Sequence, residues 1–106
     1  MHPSPAPLRA LTPTEIVTRL TQLNGAVAHG WRLIDGALEK GFACASFEHG
    51  MALANAVAWI AQRRDHHPTL HLSPQRCTVR WVTHEPAGIT VRDFACAAAV
   101  DALFKD

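Results

Sequence analysis

Charge is scarce in this chain. Of its 106 residues only 18% are charged, and ten lysines and arginines nearly cancel nine aspartates and glutamates. A nucleic-acid backbone or an anionic membrane is recognised by clustered basic side chains; none cluster here, so neither partner is implied. Long apolar runs are missing as well, and no segment approaches the roughly 18 consecutive apolar residues of a membrane-spanning helix. Cysteine is limited to Cys44, Cys77 and Cys96. Odd in number, widely spaced and set in runs such as Phe42-Ala43-Cys44-Ala45, they read as buried thiols in a reducing compartment, not as a disulfide framework. There is no glycine-rich phosphate loop, no Cys-x-x-Cys, no His-Glu-x-x-His, and no nucleophile beside an evident base. Residues 1–7 carry three prolines and no apolar stretch, which predicts a disordered lead-in over 1–10 in place of a signal peptide. A cytoplasmic protein is expected.

What is present is one domain's worth of apolar mass, 48% of the chain. A core of this size buries under about two-thirds of the unfolded chain's surface, so self-association would help to stabilise it. Two residue types stand out, seven histidines and eighteen alanines, the latter concentrated in two segments.

Thr12-Pro13-Thr14-Glu15 has the hydroxyl cap, early proline and third-position acid of a helix start, and Asn24-Gly25 supplies its stop. Trp31 to Ile34 and Leu38 to Ala45 read as strands around an Asp35-Gly36 turn. Ser46 then caps a long helix that runs to Arg64, with Leu53, Val57, Ile60 and Ala61 on one face and Pro68 forbidding continuation. Thr69 to Leu72 is a short strand broken by Pro74. Cys77, Val79 and Trp81 alternate with Thr78, Arg80 and Val82 in a clear strand that delivers His84 to its end. A loop from Glu85 to Ile89 leads to a second capping box, Thr90-Val91-Arg92-Asp93, and an alanine-rich helix through Phe104. The order α-β-β-α-β-β-α predicts an α+β domain over 11–106, a four-stranded antiparallel sheet with three helices on one face.

Histidine gains and loses a proton near neutrality, and His66, His67 and His84 all fall at element ends, where side chains can converge over a sheet edge. Set against this, His-His-Pro is also an ordinary solvated turn. A metal site would have to use His66, His67, His71 and Cys77, but His67 and His71 span a proline and share no helical face; no metal is expected. Asp93 completes a helix cap and is free to serve a site as well. Of the rings that could stack on a flat heterocycle, Trp31, Trp59 and Trp81, the last two are expected in the core.

Asp65-His66-His67-Pro68, followed by Thr83-His84-Glu85, Ala87-Gly88-Ile89-Thr90 and Asp93, resembles the pterin-4a-carbinolamine dehydratase family over residues 11 to 104. The resemblance implies removal of water from a 4a-hydroxytetrahydropterin to give quinonoid dihydropterin, a hydro-lyase reaction of tetrahydrobiopterin recycling that needs an acid and a base and no cofactor. Carried over by position, His66 and His84 are the acid–base pair and His67 a substrate contact. Asp65, Val82, Thr83 and Glu85 cradle the pterin and Asp93 supports the site. The family commonly forms dimers or tetramers, which the bare alanine faces suit.

Two positions depart from the family pattern. Gln62 stands where an acid is usual four residues before His66, and Pro74 where an aromatic ring is usual six residues after Pro68. Divergent members resemble the dehydratase but serve as protein partners, one group as an assembly factor for Rubisco in α-carboxysomes. The two departures favour such a scaffold, weakly active or inactive and assisting assembly of a protein such as Rubisco; the alternative is an active dehydratase.

Overall fold

A computed structural model describes residues 7–27 and 29–105. The expected lead-in over 1–10 therefore lies outside the described residues for its first six positions. Residues 7–10 have no regular structure, but Arg9 forks onto Glu15 at 2.8 and 2.6 Å. That fork and the Thr12 amide hold the Glu15 carboxyl down to about 2.

Helix α1 (Pro13–Asn24) opens on the complete capping box: the Glu15 amide donates to the Thr12 hydroxyl and the Thr12 amide to the Glu15 carboxylate. Strands β1 (Arg32–Ile34) and β2 (Ala37–Ala43) pair antiparallel across the two-residue Asp35-Gly36 turn. Both turn residues have positive φ, 48° and 78°, the geometry for which Asp-Gly is favoured. Helix α2 (Phe47–Arg64), capped by Ser46, buries Gly50, Leu53, Val57 and Ala61. A Cβ at Gly50 would meet Leu72 Cδ1 at 2.9 Å, so the glycine lets the helix approach the sheet closely. Strands β3 (Thr69–Ser73) and β4 (Arg76–Trp81) are joined by Pro74-Gln75, and the sheet order is β1-β2-β4-β3. Helix α3 (Val91–Ala102) closes the fold.

The register explains the layering. Leu38 and Phe42 lie opposite Trp81 and Cys77, and Leu70 and Leu72 opposite Val79 and Cys77, so one face is apolar except for Lys40, which pairs with Asp101 of α3, and this face meets α2 and α3. The other face carries Thr78, His71 and the Glu39–Arg80 ion pair at 2.6 Å. The expected four-stranded antiparallel sheet with three helices is what is found. No helix among the described residues is long and apolar enough to cross a membrane.

Three details differ from expectation. Trp59 is 64% exposed, not core, because it lies two residues, about 200°, around the helix from buried Val57. His84 does not end β4; it belongs to a separate hairpin, β5 (Thr83–His84) with β6 (Ala87–Gly88), inside what reads as a loop. Pro74 sits in the β3–β4 turn, outside the ladder, whose last pair is Ser73 with Arg76. It therefore removes no sheet hydrogen bond, and β4 separates it by its full length from Thr83.

All three thiols are free and buried. Burial pushes the Cys96 thiol up to about 11 and raises that of Cys77. Because the thiolate is the reactive form, a maleimide at pH 8 is expected to label the native chain only slowly and to reach all three cysteines once it is unfolded; mass spectrometry of the adducts reads the difference.

Candidate functional site

The histidine segment is positioned by the way α2 ends. Asp65 adopts the left-handed conformation (φ 48°, ψ 44°), its amide donating to Gln62 O at 3.4 Å while the His66 amide reaches Ala61 O at 3.1 Å. This pairing is a Schellman closure with aspartate where glycine is usual. It turns the chain back so that His66 points inward and His67 outward. Substituting valine for Asp65 places a β-branched residue at positive φ and is expected to cost about 1–2 kcal/mol; Asp65→Gly is expected to be neutral or stabilising. Thermal unfolding of the two variants measures this.

His66 is buried, at 9% exposure, and its Nε2 lies 2.6 Å from Asp93 Oδ1. Asp93 stands in the first turn of α3 and is fully buried. Its second oxygen accepts from the Thr83 hydroxyl at 2.7 Å and from the Thr90 amide at 2.9 Å, and the two threonine hydroxyls are 2.9 Å apart. One carboxylate thus joins the end of α2, strand β5 and the start of α3. Such a group survives burial only when donors surround it, and here every donor comes from a different turn of backbone or a short side chain. A carboxylate only accepts, so Nε2 of His66 carries the hydrogen and Nδ1 is left free. Nδ1 makes no hydrogen bond among the described residues, so its lone pair is not committed within the network.

The sequence-predicted residues divide into two sets. His66, Asp93 and Thr83 are brought together in this buried network, with Thr90 added by its cap. His67, His84, Asp65 and Glu85 are exposed and Val82 is half-buried. Successive strand side chains alternate, so Thr83 points inward to Asp93 and His84 outward. Asp93 reaches the surface only through His66, and the Thr83 hydroxyl is committed to Asp93. Gln62 is exposed on α2. His71 lies on the open face of the sheet and Cys77 on the helix face; no group of three or more metal-ligating side chains occurs among the described residues.

Trp81 is the participant that sequence reasoning missed. Its ring lies 5.7 Å from that of His66 at 17°. Alternation places it in the core, as found, but the identity of its neighbour depends on where α2 terminates. Trp31 is likewise buried, with Nε1 donating to Asp101 at 3.0 Å beside the Lys40–Asp101 ion pair. A cleft of about 730 Å3 between α1, β2 and the far end of α3, lined by Leu23, Phe42, Phe94 and Phe104, contains none of the histidines.

Comparison with known proteins bears on this arrangement. A protein of Paracidovorax citrulli with the provisional name pterin-4-alpha-carbinolamine dehydratase is 47% identical over 98 residues, 90% of this chain and 81% of that one. A similarly named protein of Stenotrophomonas maltophilia is 45% identical over 76 residues, 70% of this chain and 66% of that one. Among solved structures, a transcriptional coactivator/pterin dehydratase from Brucella melitensis superposes with a TM-score of 0.81 at 26% identity, covering 92% of this chain and all of that one. A pterin dehydratase-like protein identified as a RuBisCO assembly factor in the alpha-carboxysome matches with a TM-score of 0.59 at 25% identity, covering 72% of this chain and 90% of that one. The family model described as pterin 4 alpha carbinolamine dehydratase matches residues 9–103. With the fold, the histidine pair and the buried aspartate in place, this chain belongs to the pterin-4a-carbinolamine dehydratase family.

Proposed function

We propose that the chain is an active dehydratase of 4a-hydroxytetrahydropterins. The observation that carries this reading is the buried Asp93–His66 pair, which fixes the imidazole tautomer and leaves Nδ1 of His66 uncommitted, free to act as acid or base. The reaction breaks the C4a–O and N5–H bonds and forms C4a=N5, with water leaving. One group protonates the departing hydroxyl and another takes the N5 proton. His66, backed by a carboxylate that balances the imidazolium charge, supplies one of these functions and His84, exposed on β5, the other. His67 contacts the substrate, and Asp65, Glu85 and the backbone of Val82 and Thr83 flank it. Asp93 acts through His66 as a positioning residue. The reaction draws on no metal or redox group, and buried thiols suit a reducing cytoplasm. Pro74, in a turn a strand's length from Thr83, leaves this network untouched, and Gln62 is no part of its hydrogen bonding.

The purified protein is expected to accelerate dehydration of 4a-hydroxytetrahydropterin, generated by a hydroxylase and followed spectrophotometrically. A rate no faster than the spontaneous reaction sinks the proposal.

A second reading, as a partner of another protein such as Rubisco, draws support from the resemblance to the assembly factor; separately, α2 carries a surface suited to self-association. Phe47, Met51 and Trp59, four and eight residues apart with Asn55 between the last two, are 46%, 41% and 64% exposed. Alanines beside them leave the helix surface low. Such a stripe suits close helix packing, and Glu48 at one end with Arg63 and Arg64 at the other favours an antiparallel second copy. Light scattering is expected to show an oligomer that Trp59→Glu converts to a smaller species. A monomeric wild type would leave the stripe to a different protein.

A further inference from the structure

Three restraints act on the His66 ring. Its backbone amide is tied to Ala61 O, its Nε2 to Asp93, and the indole of Trp81 stacks on it, offset and near-parallel, with ring centroids 5.7 Å apart. The first two fix a point and an edge; neither prevents the ring from rocking about the Nε2···Oδ1 line. The near-parallel indole, 17° from the imidazole plane, bears on that tilt and hence on the direction in which Nδ1 points.

Trp81 is an unfavourable choice for a purely structural residue at this position. It is fully buried, yet its indole Nε1 has no hydrogen-bond partner among the described residues, and an orphaned buried donor is costly. A leucine or methionine at the end of β4 would fill apolar space opposite Leu38 without stranding a donor. The flat ring is what such a residue would lack.

We propose that Trp81 is a positioning residue of this site, the plate against which the His66 imidazole is held so that Nδ1 stays directed at the substrate. The role in catalysis rests on the dehydratase reading, whereas the clamping of the ring does not. Misplacing a catalytic group by about an ångström costs up to roughly 100-fold in rate, so Trp81→Leu is expected to lower kcat by about 10- to 100-fold while KM stays within about twofold. Trp81→Phe, which restores an aromatic face, is expected to recover most of that loss. Core filling alone predicts no such split.

The second measurement needs no activity. The His66 ring Cε1–H and Cδ2–H bonds, which swing when the ring rocks about the Nε2···Oδ1 line, are expected to show high NMR order parameters in the wild type and in Trp81→Phe, and clearly lower ones in Trp81→Leu. Trp81→Met, also without a ring, repeats the test if the leucine variant fails to fold. Wild-type order parameters in a folded leucine or methionine variant overturn the clamp. An inactive wild type overturns the dehydratase reading but leaves the order parameters to decide the clamp. Normal kcat in a ringless variant whose ring has become mobile overturns the catalytic role.

Discussion

Asp93→Ala is expected to lower the unfolding free energy by about 3–5 kcal/mol, the range for removing one partner of a buried, hydrogen-bonded charge pair, and to reduce the dehydration rate by about 100- to 10,000-fold. The stability loss follows from what the carboxylate leaves behind. The Thr90 amide, the Thr83 hydroxyl and His66 Nε2 all lose their acceptor at a site with no exposure. Each stranded donor costs about 1–3 kcal/mol before relaxation. The rate loss has a different origin, since without Asp93 nothing selects the tautomer with Nδ1 free. Asp93→Asn separates the two effects. The amide preserves volume and can still accept on its oxygen, but its nitrogen must face either His66 Nε2 or the Thr83 hydroxyl and Thr90 amide. The hydroxyl can rotate to accept; the Thr90 amide cannot. The amide oxygen is therefore drawn to Thr90, its nitrogen faces His66, and the imidazole flips tautomer so that Nε2 accepts. Asparagine is thus expected to recover most of the stability and little of the rate. Urea unfolding and initial rates on the same preparations test this; an asparagine variant as active as wild type would show that Asp93 only caps α3.

Much of this arrangement could be read from residue order, and the reasons for the misses are physical. Thr12–Glu15 and Thr90–Asp93 announce helix starts because capping is a local contract between residues three apart. Asp35-Gly36 announces a hairpin because few residues accept two successive positive φ values. Placing His66 just beyond a helix end needs only Pro68 and the end of apolar periodicity. Trp59 was misjudged because size and hydrophobicity argue for burial, whereas its angle on α2 argues against it; the angle decides when the core faces at 53, 57 and 61 are already filled. The β5–β6 hairpin escaped because two-residue strands have no periodicity to detect. Pro74 departs from the family pattern close in sequence to His66 yet lies at the far end of β3, because positions near in sequence need not be near in space along an antiparallel pair. The His66–Trp81 stack lay beyond reach for the same reason, since it joins residues fifteen apart through a left-handed turn at Asp65 and a sheet register that residue order alone does not set.

The histidines are expected to separate catalytic from structural loss. His84→Ala removes an exposed side chain with no hydrogen bond among the described residues, so its stability should stay within about 0.5 kcal/mol of wild type. If His84 transfers a proton to or from the substrate, the rate nevertheless falls by about 100- to 1,000-fold. His66→Ala is expected to lose as much rate, but it also strips Asp93 of its partner and opens a void against Trp81, at a cost of about 2–4 kcal/mol. The informative comparison is therefore not which variant is less active but which is inactive while fully folded. Chemical denaturation paired with the dehydration assay makes it. Full activity in folded His84→Ala would remove His84 from the proton transfers and leave His67, the other exposed imidazole of the family motif, to complete the pair with His66. The double variant His67→Ala/His84→Ala then decides between them: if the two imidazoles substitute for each other its rate falls to the uncatalysed level, whereas retained activity would place both proton transfers on Nδ1 of His66, one after the other.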